Sequence, residues 1–173
     1  VLQAGDFATF EAGVAKFQNT TAALRYSAIP VVAAVQGLAL GGGCEFLMHC
    51  DRVVAALESY IGLVEVGVGL IPAGGGCKEF ALRAAAEAKG GDLLPFLRGY
   101  FEAMAMAKVS RSAEEAKQLG YLKASDIIVF NVNELLYVAK AQVRALAETG
   151  YRPPQPRRIR VAGRTGIAAC QMA

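Results

Sequence analysis

The sequence predicts an α/β fold built around a buried parallel sheet, and three observations carry that prediction. A helix-period stripe runs through residues 5–26, an apolar strand pattern with both faces buried follows at once, and glycine runs mark the places where strands pass into helices. A helix feeding directly into a doubly buried strand is the pattern of crossover connections between parallel strands.

In the first segment Phe7, Phe10, Val14, Phe17, Thr21 and Leu24 recur at steps of three and four, the spacing of one helical face. Glu11, Lys16, Gln18 and Arg25 fall off that face, so the helix is amphipathic. Pro30 ends the pattern, and residues 31–35 read as a short strand. Gly41-Gly42-Gly43 then opens a short apolar helix over residues 44–50, and residues 52–56 and 59–62 read as two further strands.

Gly67, Gly69, Pro72 and the run Gly74-Gly75-Gly76 punctuate a loop that leads into a helix over residues 78–88. Beyond Gly90-Gly91-Asp92 another helix carries Phe96, Leu97, Tyr100, Phe101 and Met104, aromatics expected to serve the core or a subunit contact rather than an acyl tunnel. Ser112 and Glu115 have the spacing of a capping box, and Gly120 suits the C′ position that ends the helix. Residues 126–130 form a brief strand, and Leu135, Val138, Gln142, Val143 and Leu146 outline a last helix ending near Gly150. Residues 1–150 are therefore assigned to the folded domain. Residues 151–173, with Arg152, Arg157, Arg158, Arg160 and Arg164, are assigned to a basic, proline-containing extension.

Composition bounds the function classes. A chain of 173 residues with 54% hydrophobic content suits one globular domain, and a net charge of +3 is too small to point to nucleic acid. No basic stretch followed by an apolar block resembles a signal peptide, and no long uncharged run suggests a membrane span, so a cytoplasmic location is expected. Cys44, Cys50, Cys77 and Cys170 lack metal-site spacing and read as reduced thiols. Cys44 and His49 would need further ligands to hold zinc, and no calcium loop occurs, so no metal is expected. His49, the one histidine, has no nucleophile elbow near it and is read as structural.

The chemistry concentrates between residues 29 and 76. Gly41 to Gly43 present backbone N–H groups at a helix start, a place that stabilises negative charge; the alternative is tight strand-to-helix packing. A P-loop would continue Gly-Lys-Ser/Thr, whereas Cys44-Glu45 follows here, and no Gly-x-Gly-x-x-Gly occurs. Glu45 is an acid amid apolar residues, either functional or a first-turn acid complementing the helix dipole. Glu65 is likewise isolated between apolar stretches, either functional or a loop-tip acid. Two such carboxylates beside an N–H donor can hold a water, one accepting its proton while the other delivers one, with the donor stabilising an enolate oxygen.

The stretch Ile29-Pro30-Val31-Val32-Ala33-Ala34-Val35-Gln36-Gly37-Leu38-Ala39-Leu40-Gly41-Gly42-Gly43-Cys44-Glu45 closely resembles the signature of the crotonase superfamily, the enoyl-CoA hydratases and isomerases. The match continues through Cys50-Asp51 and from Gly62 to Gly76, keeps the spacing between the two acids, and is weaker over residues 108–125. The resemblance implies a stack of ββα turns with C-terminal helices, incomplete at the N-terminus, usually trimeric, that binds an acyl-CoA thioester. It makes Gly42 one oxyanion donor, Glu45 the acid that activates water for attack at C3, and Glu65 the acid that protonates C2. Gly41, Val64 and Ala73 align beside the substrate. Keeping both acids favours hydration of 2-trans-enoyl-CoA; a Δ3,Δ2-enoyl-CoA isomerase and a noncatalytic CoA-binding or oligomerisation scaffold are the alternatives.

In this superfamily the other oxyanion N–H comes from a turn upstream of the first helix, so the 173 residues are expected to hydrate crotonyl-CoA poorly by themselves. The segment from Glu65 to Ala73, followed by Lys78-Glu79 and an insertion with Gly90-Gly91, looks most like crotonase modules fused to a 3-hydroxyacyl-CoA dehydrogenase. The resemblance implies no cofactor in this segment beyond the CoA of the substrate, with NAD entering only if a dehydrogenase part is fused. It also implies either a homo-oligomer or an intramolecular contact with that part, and no nucleic-acid or membrane partner.

Overall fold

The computed structural model describes residues 5–156 and 158–172. Its elements run α1 (Phe7–Arg25), β1 (Val32–Leu40), α2 (Gly42–Met48), β2 (Arg52–Gly62), a 3-10 turn (Glu65–Val68), α3 (Gly76–Ala88), α4 (Leu94–Ala105), α5 (Ala113–Gln118), β3 (Ile127–Val129), a second 3-10 turn (Val132–Glu134), α6 (Leu135–Glu148) and α7 (Gly163–Gln171). β1, β2 and β3 form one sheet in that order, with both neighbouring pairs parallel. The α/β reading and its parallel sheet are thus what the chain adopts.

Alternation along β2 sets the layers, because successive side chains of a strand point to opposite faces. Val53 and Ala55 face a core shared with Cys44, Leu47, Met48, Leu63, Phe80, Tyr100 and Tyr121, whereas Val54 and Ala56 face Val129, Leu135 and Ala139. α2, α3, α4 and α5 therefore lie on one side of the sheet and α6 on the other. Phe80 stacks on Tyr100 with centroids 4.4 Å apart, which sends Tyr100 into the core.

Two strand expectations change. β1 is an edge strand with Ala34, Gln36 and Leu38 exposed, so the doubly buried strand is its neighbour β2. The break expected between residues 56 and 59 is a bulge within one continuous strand: Val35 pairs with Ala55 and Gly37 with Ser59. Gly37 takes a left-handed φ of 69° at this irregularity, which glycine adopts without a Cβ clash.

Carboxylates tie the strand starts. Asp51 accepts from the Val31 N–H at 2.8 Å, and Asp126 accepts from the Val53 N–H at 2.9 Å. The Ser112 hydroxyl caps α5 by accepting from the Glu115 N–H, while the Glu115 carboxylate accepts from the Arg111 N–H. The C-terminal stretch holds an unanticipated helix, α7, packed on α4: a Cβ at Gly166 would meet Leu97 at 3.3 Å. Its glycines and small residues give no apolar period to read. Arg157 lies outside the described residues. Among the described residues no helix is long and apolar enough to cross a membrane.

Candidate active site

The junction between β1 and α2 is shaped by glycine. Gly41 is the N-cap of α2 at φ 54° and ψ −123°, and its N–H donates to the Gly62 carbonyl at 2.8 Å, tying the start of α2 to the end of β2. Gly42 opens the helix with a Cβ position only 3.1 Å from the Phe17 ring. Close packing is therefore a property of this turn, in which Gly41 is buried, Gly42 half-buried and Gly43 exposed at the start of α2.

Glu45 follows in the same short helix and is only 2% exposed. Its Oε1 accepts from the Gly76 N–H at 2.8 Å, and a Cβ at Gly74 would fall 2.4 Å from its Oε2. Residues 74–76 thus form a strap across the carboxylate. α1 holds the strap from outside: the Gln18 amide donates to the Ala73 carbonyl and the Thr21 hydroxyl to the Gly74 carbonyl, each at 2.7 Å. Burial raises the proton affinity of Glu45, the Gly76 N–H opposes that, and the charge of Glu65 adds to the rise.

Glu65 opens the 3-10 turn after β2. Both of its carboxylate oxygens are buried and have no hydrogen-bond partner among the described residues. A Cβ at Gly41 would lie 3.5 Å from Glu65 Oε1 and 3.7 Å from Val64, which places this acid over the same glycine turn. Burial raises its proton affinity as well, and the nearby backbone groups of Glu65 and Val64 oppose that rise. An unpaired buried carboxylate is costly to ionise and keeps a proton to higher pH, a property suited to an acid that must deliver one.

Gly41, Gly42, Glu45, Val64 and Glu65 come together around the start of α2. Ala73 enters the strap, with its carbonyl engaged by Gln18. The strap contacts were hidden in the sequence. Thr21 lay in an apolar stripe, Gln18 looked like a surface residue, and only Gly74-Gly75-Gly76 hinted at close backbone approach. His49, read as structural, is completely buried beside the strap. Among the described residues no group of three or more His, Cys, Asp or Glu side chains could hold a metal ion. A cavity of about 910 Å3 behind α3, lined in part by Arg25, Glu79, Arg83 and Tyr100, is not lined by Glu45 or Glu65.

The sequence profile of the enoyl-CoA hydratase/isomerase family matches residues 8–126. A Bacillus subtilis protein named a probable 3-hydroxyacyl-CoA dehydrogenase is 45% identical over 168 residues, 97% of this chain and 21% of that protein. The peroxisomal fatty acid beta-oxidation multifunctional protein of Arabidopsis thaliana is 41% identical over 97 residues, 55% of this chain and 12% of that protein. Among solved structures, an enoyl-CoA hydratase from Bacillus anthracis superposes with a TM-score of 0.63 at 27% identity, covering 81% of this chain and 48% of that one. The chain thus spans about a fifth of the first relative and about half of the solved hydratase.

Proposed function

The chain belongs to the enoyl-CoA hydratase/isomerase family, and we propose that it carries the hydration site of a protein that adds water to 2-trans-enoyl-CoA in fatty-acid oxidation. The observation that carries the proposal is the pair of buried acids over one glycine turn, one strapped by a backbone N–H and one unpartnered. In this reading the thioester carbonyl lies at the start of α2, where the Gly42 N–H is one oxyanion donor, with Gly41, Val64 and Ala73 beside the substrate. The ionised Glu45 takes a proton from water as its oxygen bonds to C3. The π electrons shift onto the thioester as an enolate, and Glu65 gives its proton to C2.

The site needs no cofactor beyond the CoA of the substrate; NAD belongs to a dehydrogenase part of the same protein, a fusion that the name of the Bacillus subtilis relative supports. The proposal includes the cytoplasm, in keeping with free cysteines at all four positions. It also includes association, either as a homo-oligomer or against the dehydrogenase part, supported by exposed Val68, Ile71, Leu136 and Tyr137.

The test is steady-state hydration of crotonyl-CoA by the full-length protein, followed as loss of the conjugated enoyl-thioester absorbance. Glu45→Gln and Glu65→Gln should each lower kcat about a hundredfold to ten-thousandfold while acyl-CoA binding persists. Unchanged turnover in either variant refutes its role. Double-bond migration from 3-enoyl-CoA without hydration would instead identify an isomerase.

A further inference from the structure

Behind Glu45 stands a second group of polar side chains that the hydration chemistry leaves unused. His49 Nδ1 lies 2.6 Å from the Glu45 main-chain carbonyl; a carbonyl only accepts, so Nδ1 carries the proton and donates. Nε2 then offers its lone pair to the Lys78 ammonium, which only donates, at 2.8 Å. These contacts fit a neutral ring protonated at Nδ1, in keeping with a proton affinity that burial lowers, while Glu79 Oε1, 3.5 Å from Nε2, pulls the other way. Glu79, 1% exposed, closes the group by pairing with Lys78 and with Arg25 of α1, each at 3.3 Å.

The imidazole also supports the strap. A Cβ at Gly75 would fall 2.5 Å from His49 Cε1, so the Gly75 backbone rests directly on the ring. Its neighbours on either side are the residues that meet the Glu45 carboxylate, Gly76 through its N–H and Gly74 through its backbone. The same ring bonds the Glu45 carbonyl and bears the peptide that orients the Glu45 carboxylate.

We propose that His49 is a positioning residue: held between the Glu45 carbonyl and Lys78, it forms the floor of the 74–76 strap and through it fixes the direction of the Glu45 carboxylate. The inference rests on the hydration reading and adds a residue to its machinery. A merely space-filling histidine would serve both acids alike. Glu65 stands on a different turn with no bond to the strap, so loss of His49 should impair only the steps that need Glu45.

Exchange at C2 separates the two acids. In deuterated water the Glu65 carboxylate can take the C2 proton of a saturated acyl-CoA, leaving the electron pair as an enolate. It then trades that proton with solvent and returns a deuteron to C2; no water is added and Glu45 is not required.

In the full-length protein His49→Leu should lower kcat for hydration about tenfold to a hundredfold with KM little changed, while C2 exchange proceeds near the wild-type rate. Lys78→Met alters a half-exposed side chain and should shift the same ratio in the same direction by a smaller factor, deciding the matter if the leucine variant does not fold. His49→Gln keeps a donor and an acceptor and should restore most of the hydration rate. Equal losses of hydration and exchange, or hydration unchanged in both His49→Leu and Lys78→Met, overturn the proposal. A wild-type protein that does not hydrate enoyl-CoA overturns the reading beneath it, a failure visible before any variant is compared.

Discussion

Glu45 lies within a helix with a backbone N–H on its carboxylate and a glycine strap across it, whereas Glu65 opens a 3-10 turn with both oxygens buried and unpartnered among the described residues. The surroundings differ as much as the bonds. The strap is anchored by Gln18 and Thr21 from α1 and borne by His49, while Val66 and Val68, beside Glu65, are exposed. The contrast matches the tasks proposed for the two acids. A base that aims a water at one carbon must keep its direction, and preorganisation is what such a group gains from fixed donors. An acid that hands over a proton gains more from an environment that disfavours its charge.

Crowding the strap should break the contrast most severely. A Cβ at Gly74 would lie within hard contact of the Phe17 ring and 2.4 Å from Glu45 Oε2, so Gly74→Ala must displace the carboxylate, the ring or the strap itself. We expect kcat for hydration to fall at least about a hundredfold. Gly69→Ala, near Glu65, meets nothing within 4 Å and carries only the strain of a φ of 77°, so its effect on kcat should be far smaller. Paired kinetics of these variants would contradict the strap argument if Gly69→Ala were the more damaging.

The pH profile of hydration should show both acids. Glu45 must be ionised to take a proton, and its affinity for protons is raised, so the rate should fall on acidification at a pH above the ordinary carboxylate range. Glu65 must hold a proton to give one, and its affinity is raised too, so the rate should decline as pH rises through its own value. The two charges interact, and the limbs of this bell belong to the pair and not to single residues. In Glu65→Gln the alkaline limb of the residual activity should vanish. The acid limb should move only slightly down, because burial, a larger cause than the Glu65 charge, still acts on Glu45.

How much of this was legible in the sequence follows from where each signal resides. Glu45, Glu65 and the glycine run stood out because an acid in an apolar stretch is anomalous and glycine has few reasons to cluster. α1 was readable to within a few residues because its apolar stripe is long, and the capping residues of α5 announced themselves locally. β1 reads as doubly buried but is an edge strand, because small apolar residues satisfy an edge strand as well as a central one, and neighbours are chosen by topology. Gln18 off the apolar face, Thr21 within it and His49 as a structural histidine hide their roles for a related reason. Their partners lie on other elements, as with Thr21 and Gly74 or His49 and Lys78, and a pairing across the fold leaves no local pattern.

The smallest expected effect separates the two acids by stability and not by rate. A carboxyl whose proton affinity is higher folded than unfolded contributes stability below the unfolded value, and that contribution is lost as pH rises through the folded one. Both acids fall in this class, so on the alkaline side of its own folded value each ionised carboxylate opposes folding, and pH 8 serves as the alkaline measuring point. Replacing Glu65 by glutamine removes a charge with no bonded partner among the described residues to lose. Because solvent screens part of this half-buried group, the gain is expected at about 1 kcal/mol, or roughly 3 °C in Tm. Glu45→Gln also removes a buried charge but gives up the charge-assisted bond from Gly76, so its Tm should move less. The advantage of Glu65→Gln should shrink as pH falls toward 4, where the wild-type carboxyl is itself neutral. Thermal unfolding of both variants at the two pH values checks the order; a larger gain for Glu45→Gln would mean that the strap does not stabilise the ionised Glu45.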